Sequence, residues 1–345
     1  MHAFLPTDGC AAFLIDELSR QGIESRSAEP FILAEQLPTP PILAFARQTL
    51  PDAREVLNAS INGWADHIIE SMLATLTADA PWQLHLGPAY GEGTAGQHRC
   101  ELIHAALTER LKKRRRSLFR AWVQNDPPAE IALVQAVLTA PDKGYVSAAT
   151  ATTAHDLRAI LSPFIGGDIP HAEDKAAPSR AFAKVIEAEL RLGQQIERGQ
   201  TCVDLGASPG SWSYVAIQRG AHVIAIDRSP LRDDLMRNLR LQFVQADAFK
   251  FKPDTTVDWL ICDIIAAPQR SIDLLLEWLR EKQMRRFIVT LKFKGTDEYH
   301  LLDQLKSEAP QMCSDFRLTR LCANKNEVTA FGIAEPVPNT TDLLR

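Results

Sequence analysis

Short apolar runs alternate with helix-type patterns along the second half of the chain. The runs occupy residues 201–206, 221–227, 241–247, 257–263 and 286–292. Continuous apolar runs of this length are typical of strands that are buried on both faces of a parallel sheet. Helical spacing marks residues 212–219, 231–239 and 272–282. The alternation predicts an α/β fold with a doubly wound, Rossmann-like sheet.

The end of the second half has a different pattern. Residues 316–321 and 327–333 are apolar runs separated by the turn-forming sequence Ala-Asn-Lys-Asn at 323–326. Two strands joined by such a turn predict an antiparallel hairpin at one edge of the sheet. The Pro- and Asn-containing tail at residues 336–345 is expected to be flexible.

The first half is less regular and predicts an accessory domain of the α+β class. Helical spacing marks residues 10–21 and 66–78, whereas 83–86 and 130–139 fit either strands or helices. Turn residues and low hydrophobicity around residues 162–179 indicate a connection to the second half. We therefore place a linker at residues 166–180, followed by the sheet domain at residues 181–335.

Length and composition limit the classes of protein that fit. The chain has 345 residues, of which 46% are hydrophobic, so it can form about two domains with their own cores. No apolar run approaches the length of a membrane span, and the N-terminal residues lack the pattern of a secretory signal. A cytoplasmic location is therefore expected. The sequence does not determine the oligomeric state, and a monomer is our default expectation.

The cysteines do not suggest disulfides or metal binding. All six are scattered, and the sequence has no Cys-x-x-Cys pair. His222, His300 and Cys313 fit no metal-ligand spacing, so no metal is expected. Reduced structural thiols are the simplest interpretation, with Cys262 pointing inward from a strand.

One basic segment stands out from the mildly acidic composition, whose formal net charge is −5. Residues 110–120 contain seven cations, five of them consecutive: Lys112, Lys113, Arg114, Arg115 and Arg116. Such a run is either a solvated helix face or a contact for phosphate groups. Any nucleic-acid partner has to meet a local patch of this kind, because the chain as a whole is acidic.

A glycine-containing turn follows the first predicted strand of the sheet. It includes Gly206, Ser208, Pro209, Gly210 and Ser211 and leads into a helix. Glycines allow a tight turn with close backbone approach to a ligand, and a helix N-terminus offers unpaired N–H groups. The turn lacks both the third glycine of the dinucleotide fingerprint and the lysine of a P-loop.

Three predicted strands each end in an aspartate. Asp227, Asp247 and Asp263 end the second, third and fourth strands. Open α/β sheets bind ligands at this carboxyl edge, and an acid after the second strand can accept both hydroxyl groups of a ribose. Together with the glycine turn, they favour a cofactor that contains a nucleoside. Both a nicotinamide enzyme and a methyltransferase fit this pattern.

Two lysines distinguish these possibilities. Lys184 precedes the first strand of the sheet, and Lys292 ends the fifth. A lysine at the end of an apolar strand is desolvated, and a second ammonium nearby favours loss of its proton, so it can act as a base. For either lysine taken alone, a surface residue that extends its ammonium into water is the favoured interpretation.

With these features, the sequence resembles a known family, the FtsJ/RrmJ-type ribose 2′-O-methyltransferases. The resemblance covers residues from Pro178 to about Ile333 and rests on a Lys-Asp-Lys-Glu tetrad. Its members here are Lys184 in P-S-R-A-F-A-K, Asp263 in I-C-D-I, Lys292 in V-T-L-K and Glu327 in N-K-N-E-V. Within the family, the similarity is greatest to bacterial members that methylate a cytidine ribose in 23S ribosomal RNA.

The resemblance implies the cofactor, the substrate and the roles of the residues. It implies S-adenosylmethionine bound at the turn that begins with Gly206, with its methionine part near residues 208–211, its ribose on Asp227, its adenine near Asp247 and its ammonium facing Asp263. RNA is the implied substrate, since only RNA has a 2′-hydroxyl. Arg285, Arg286 and Lys294 are expected close to the active-site edge or its neighbouring loops, where they could contact the RNA. Lys292 is the expected base, and Lys184 holds Lys292 in its basic form and orients the hydroxyl. The family members also imply a ferredoxin-like segment at residues 1–55 and an RNA-binding THUMP-like domain at 56–165.

Three other functions remain open at this stage. The chain could be a methyltransferase that acts on a base, a protein or a small molecule, but it lacks the motifs those enzymes often carry after the fourth strand. It could be an RNA-binding or ribosome-associated protein that has lost activity, although all four tetrad residues are present. A nicotinamide oxidoreductase is disfavoured by the missing third glycine.

Overall fold

The computed structural model describes residues 1–90, 95–125, 128, 130–169 and 173–334. The chain divides into two units, Met1–Asp168 and Ile169–Arg345. The predicted tail at residues 336–345 lies outside the described residues. Within them, none of the helices is both long enough and apolar enough to cross a membrane.

Unit 1 begins with a small antiparallel sheet. Its strands are β1 (His2–Pro6), β2 (Ser25–Ala28), β3 (Phe31–Ala34) and β4 (Ala46–Leu50), in the order β2-β3-β1-β4. Helix α1 (Ala11–Arg20) follows β1, as its helical spacing predicts. The carboxylate of Glu17 is buried on this helix and accepts hydrogen bonds from the backbone N–H groups of Ala44 and Phe45. These bonds fix the loop that leads into β4.

A second four-stranded sheet completes unit 1. Its strands are β5 (Arg54–Val56), β6 (Trp82–Pro88), β7 (Ala132–Ala140) and β8 (Lys143–Ala149), in the order β5-β8-β7-β6. The helices are α2 (Ile61–Thr75), α3 (Ala95–Arg114), α4 (Arg116–Ala121) and α5 (Ala151–Asp156). The two stretches that fitted strands or helices equally well are thus strands β6 and β7. The predicted boundary after residue 55 falls inside β5, which belongs to this second sheet.

Unit 2 contains a seven-stranded mixed sheet in the order β11-β10-β9-β12-β13-β15-β14. Its strands are β9 (Thr201–Leu205), β10 (His222–Asp227), β11 (Leu241–Gln245), β12 (Val257–Cys262), β13 (Met284–Lys292), β14 (Asp315–Thr319) and β15 (Glu327–Ile333). The first five are parallel, and β14 and β15 form the predicted antiparallel hairpin at one edge. Every strand predicted in this half is confirmed.

Helices cover the sheet of unit 2. They are α6 (Phe182–Leu192), α7 (Ser211–Gln218), α8 (Asp233–Met236), α9 (Pro268–Arg280) and α10 (Leu302–Glu308). The helix predicted over residues 231–239 is only one turn long. Trp212, Trp259 and Trp278 are almost fully buried, as expected for core residues. Cys262 is fully buried at the end of β12, which confirms its inward orientation, and burial raises the pKa of its thiol to about 12.

Candidate active site

Four charged residues from distant parts of unit 2 meet at the carboxyl edge of its sheet. Lys184 lies in the first turn of α6, and Asp263 directly follows β12. Lys292 is the last residue of β13, and the antiparallel register places Glu327, the first residue of β15, opposite it. The four residues named as a tetrad from the sequence therefore form one cluster, which we call the tetrad.

The tetrad is held together by alternating charges. The Lys184 ammonium lies 2.6 Å from Glu327 Oε2 and 3.1 Å from Asp263 Oδ1. The Lys292 ammonium lies 2.9 Å from the same Asp263 oxygen and 3.6 Å from Glu327 Oε1. Each lysine thus contacts both carboxylates. Two ammonium and two carboxylate groups have no net formal charge, which lowers the cost of burying them together.

The two lysines differ in their access to solvent. The side chain of Lys184 is only 6% exposed, whereas that of Lys292 is 19% exposed. Lys184 is therefore enclosed between the carboxylates, and Lys292 is the ammonium that a molecule arriving from solvent can reach more easily. The family resemblance assigns the base to Lys292, the more accessible lysine, and this assignment stays a prediction.

The glycine turn links β9 to α7 beside the tetrad. Gly206 and Gly210 have φ values of +76° and +109°, a region that residues with a side chain rarely adopt. A Cβ on Gly206 would lie 2.5 Å from the Ile264 side chain, and one on Gly210 would lie 2.3 Å from that of Leu235. The backbone conformation favours glycine at both positions, and at Gly206 the close packing of Ile264 favours it as well. Gly210 immediately precedes α7, so the turn presents the N-terminus of this helix.

Asp227 closes β10 and holds the neighbouring backbone. Its Oδ2 accepts a hydrogen bond from the Ser208 N–H at 3.0 Å, and its Oδ1 accepts one from the Ser229 N–H at 2.9 Å. A carboxylate oxygen has two lone pairs, so each oxygen can accept one further hydrogen bond. Asp227 therefore has acceptor positions left for the two hydroxyl groups of a ribose.

Asp247 lies among cations, two residues after β11 rather than at its end, where the sequence had placed it. It caps the following turn by accepting a hydrogen bond from the Phe249 N–H at 3.1 Å. Its Oδ2 lies 3.2 Å from Arg228 and 4.0 Å from Arg270. This bond and the cations hold the pKa of Asp247 below its ordinary value. The Arg270 guanidinium also lies over the Phe249 ring, 3.6 Å from its centroid, so a flat cationic surface adjoins this acid.

Two serines of the predicted cofactor turn have partners within the protein. The Ser208 hydroxyl donates to the Pro230 carbonyl at 3.0 Å, and the buried Ser211 hydroxyl lies 2.7 Å from that of Ser179. Pro209 accepts the Arg232 N–H through its carbonyl. These three residues thus shape the turn, and its ligand contacts would come from the backbone.

Asp204 is a site residue that our sequence analysis missed. It lies on β9, two residues before Gly206, and is fully buried. Its carboxyl accepts a hydrogen bond from the Ser213 hydroxyl at 2.6 Å, which ties β9 to α7. Burial raises the pKa of Asp204 to about 7. The sequence could have identified it, because Asp204 is a charged residue inside an apolar run, and such a residue needs a specific partner when it is buried.

The structure corrects one sequence-based expectation at this edge. We expected Arg285, Arg286 and Lys294 to lie near the active-site edge, but both arginines are at the start of β13. Arg286 lies six positions before Lys292 on this strand, a distance of about 20 Å. Arg286 instead contacts Gln194, and its guanidinium lies near the Trp259 ring. Only Lys294 is close to the tetrad.

The basic segment lies in unit 1, at the junction of α3 and α4. All five consecutive cations, Lys112 to Arg116, are exposed. Lys113 pairs with Glu109 at 3.0 Å, and the Lys112 ammonium lies 5.3 Å from the Phe119 ring centroid. Across the described ranges, the three arginines have no carboxylate partner. They are therefore the cations most available to an external anion.

The fold and the tetrad define a class of protein, the Rossmann-like methyltransferases. The family model described as FtsJ-like methyltransferase matches residues 177–301, which contain the glycine turn and three of the four tetrad residues. Similarity to known proteins narrows the assignment within this class.

Three relatives carry the name ribosomal RNA large subunit methyltransferase M. The one from Halorhodospira halophila is 32% identical over 266 residues, 75% of this chain and 71% of that protein. The one from Alkalilimnicola ehrlichii is 31% identical over 271 residues, 74% and 69% of the two chains. The one from Thauera aminoaromatica is 36% identical over 166 residues, 45% and 46% of the two chains.

The matched segment thus spans about half the length of the Thauera relative and about 70% of the other two. The chain belongs to the family of ribosomal RNA large subunit methyltransferase M.

Proposed function

We propose that this protein transfers a methyl group from S-adenosylmethionine to the 2′-oxygen of a ribose in RNA. The target we propose is a cytidine of 23S ribosomal RNA in the large subunit. The observation that carries the proposal is the tetrad, because it sets two lysines and two carboxylates around one point at the ligand-binding edge of the sheet. The name that the relatives share supports the choice of RNA.

The residues at the edge fit S-adenosylmethionine. This cofactor supplies an activated methyl group on a sulfonium, whose loss needs no acid from the protein. Asp227 would accept the ribose hydroxyl groups, Asp247 with its neighbours would border the adenine, and the backbone of residues 206–211 would contact the methionine part. Asp263 would face the methionine ammonium, since opposite charges attract strongly at a partly desolvated edge.

The tetrad would deprotonate and orient the 2′-hydroxyl. Lys292, the more accessible lysine, would accept the proton from the hydroxyl as the oxygen attacks the methyl group. Lys184 would hold the oxygen in place by donating a hydrogen bond. Asp263 and Glu327 would balance the charge of the cluster throughout. The lysines share both carboxylates, so a change at any one of the four residues alters the charge balance of the whole cluster.

Unit 1 would hold the RNA, as the ferredoxin-like segment and the THUMP-like domain predicted from the sequence imply. Its exposed cations Lys112, Lys113, Arg114, Arg115 and Arg116 would contact phosphates. Such contacts position a nucleic acid without reading its sequence. The specificity for one cytidine would therefore come from the shape of the RNA and from contacts around the target.

The direct test is transfer of tritium from labelled S-adenosylmethionine to ribosomal RNA from cells that lack the modification. The expected product is an alkali-resistant dinucleotide, since a methylated 2′-oxygen cannot attack the neighbouring phosphate. Label on a nucleobase would show a different acceptor and overturn the proposal. No label, with cofactor binding intact by calorimetry, would point to an RNA-binding protein that has lost activity.

A further inference from the structure

Two exposed lysines stand just outside the tetrad, on extensions of strands β13 and β15. The pairing of these strands continues past their ends: the Phe293 N–H donates to the Asn326 carbonyl at 3.0 Å. The Asn326 side-chain amide donates back to the Phe293 carbonyl at 2.9 Å, in place of the backbone N–H of a regular ladder. Lys294 follows Phe293 and Lys325 precedes Asn326, so both exposed lysines come directly after this bridge, on the side away from Lys292 and Glu327 along the chain.

Chain connectivity relates this pair to the tetrad. Lys294 lies two residues beyond Lys292, and Lys325 lies two residues before Glu327. Two residues span at most about 7 Å of chain. Both lysines therefore lie close to the tetrad, and both are exposed, whereas Lys292 and Glu327 are only partly exposed.

The lysine pair and the tetrad differ in how their charges are balanced. In the tetrad, each ammonium contacts two carboxylates. Neither Lys294 nor Lys325 has a carboxylate partner anywhere in the part of the chain that the structure describes. Neighbouring ammonium groups without such partners repel each other. An anion bound between the two ammonium groups would remove that repulsion.

The backbone beneath the lysine pair is fixed by further contacts. The Tyr299 hydroxyl donates to Asn326 Oδ1 at 2.5 Å, and the Tyr299 ring packs edge-on against the buried ring of Phe293, with centroids 4.9 Å apart. These contacts hold the backbone next to the two lysines in place. A fixed backbone lets the lysines bind a ligand at a defined position relative to the tetrad.

We propose that Lys294 and Lys325 bind the phosphodiester group on the 3′ side of the ribose that is methylated. This inference rests on the proposed function. The 2′-oxygen and the 3′-phosphate are carried by neighbouring carbon atoms of one ribose. A phosphate held one step outside Lys292 therefore positions the 2′-hydroxyl at the tetrad. Ammonium–phosphate hydrogen bonds are of the strong, charge-assisted type.

The first test removes the charges with Lys294→Gln, Lys325→Gln and the double variant. Lys282→Gln is the matched control, because Lys282 is an equally exposed lysine that lies just before β13, at the opposite edge of the sheet. For the double variant we expect the KM for RNA to rise about tenfold, with kcat at saturating RNA within about twofold of wild type. The slope of log affinity against log salt should fall by about one. Cofactor affinity should not change.

A second test removes the charge from the RNA instead. Once the target is mapped, a short substrate is made with an uncharged methylphosphonate in place of the 3′ phosphodiester. This change should weaken binding to the wild type and to Lys282→Gln about tenfold, and it should have little further effect on the double variant. A methylphosphonate two linkages away is the matched control on the RNA side.

The outcomes separate the inference from the function on which it rests. If the wild type methylates a ribose but the double variant behaves like Lys282→Gln, the inference is wrong and the proposed function stands. An equal loss for the neutral linkage in the wild type and in the double variant would also overturn the inference. If the wild type methylates no ribose, the proposed function fails and the inference fails with it.

Discussion

Lys292 and Glu327 face each other across neighbouring antiparallel strands, with the ammonium 3.6 Å from Oε1. Lys292 belongs to the last parallel strand, β13, and Glu327 belongs to β15, the neighbouring strand of the antiparallel hairpin. The hairpin therefore contributes to the chemistry of the site: it delivers a carboxylate to the end of the last parallel strand. Changes to these and neighbouring charges give specific expectations.

Removal of Lys184 should destabilise unit 2 more than removal of Lys292. Lys184→Met leaves two carboxylates with one ammonium in a buried cluster, a loss of about 3 kcal/mol. Lys292→Met should cost less, because Lys292 is more exposed and its carboxylate partners keep the enclosed Lys184. Hydrogen exchange at the amides of β13 in urea measures the difference. Equal protection in the two variants would contradict the structure, and Lys282→Met is the control for loss of a lysine.

The stability of unit 2 should depend on the ionisation of Asp204. Burial raises its pKa to about 7 in the folded protein, from an ordinary value of 3.8. Between these values the folded state binds the proton and the unfolded state does not. The contribution of Asp204 to the free energy of unfolding therefore falls as the pH rises from about 4 to about 7, by about 4 kcal/mol at most.

Asp204→Asn isolates this effect, since the amide keeps an acceptor for the Ser213 hydroxyl and does not titrate. We take the unfolding free energy of the wild type minus that of Asp204→Asn, both measured without cofactor. This value should fall steadily over that pH range and level off above it. A difference that stays constant from pH 4 to pH 8 would mean that Asp204 is already ionised in the folded protein at low pH.

The arginines of the basic segment should matter more for RNA binding than the lysine beside them. Arg115→Gln removes a cation without a carboxylate partner among the described residues, whereas Lys113→Gln removes one that already pairs with Glu109. Binding of large-subunit RNA, followed by fluorescence anisotropy at several salt concentrations, should show a reduced salt slope for Arg115→Gln and a smaller change for Lys113→Gln.

Replacing Arg114, Arg115 and Arg116 together by Gln should lower the salt slope by about two to three and leave cofactor affinity intact. If the triple variant keeps the wild-type slope, the segment is a solvated helix surface, the other interpretation that its sequence allows.

The sequence was informative wherever a residue ends a buried strand. Asp227, Asp263 and Lys292 could be placed at one edge because continuous apolar runs mark strands buried on both faces, and parallel strands end on the same side. The same logic failed for Arg285 and Arg286. They adjoin an apolar run, but at its beginning, and the direction of the strand puts them at the far edge.

Other features depend on contacts that no local pattern reveals. Asp204 is tied to Ser213 by the packing of a helix on its own strand. Likewise, Lys294 and Lys325 come near each other only through the hydrogen bonds between Phe293 and Asn326, beyond the ends of β13 and β15. In unit 1, strands β6 and β7 could not be told from helices, because short apolar runs fit both and tertiary pairing decides.

The central claim is that the tetrad catalyses the transfer of a methyl group to a ribose. The Lys292→Met variant tests this claim most directly. Single-turnover transfer of tritium from labelled S-adenosylmethionine to ribosomal RNA should be compared in wild type and Lys292→Met, with cofactor and RNA affinities measured for both proteins. We predict alkali-resistant product from the wild type and a rate at least about a hundredfold lower in the variant, with both affinities retained. Transfer to a ribose at an undiminished rate in Lys292→Met would contradict the claim.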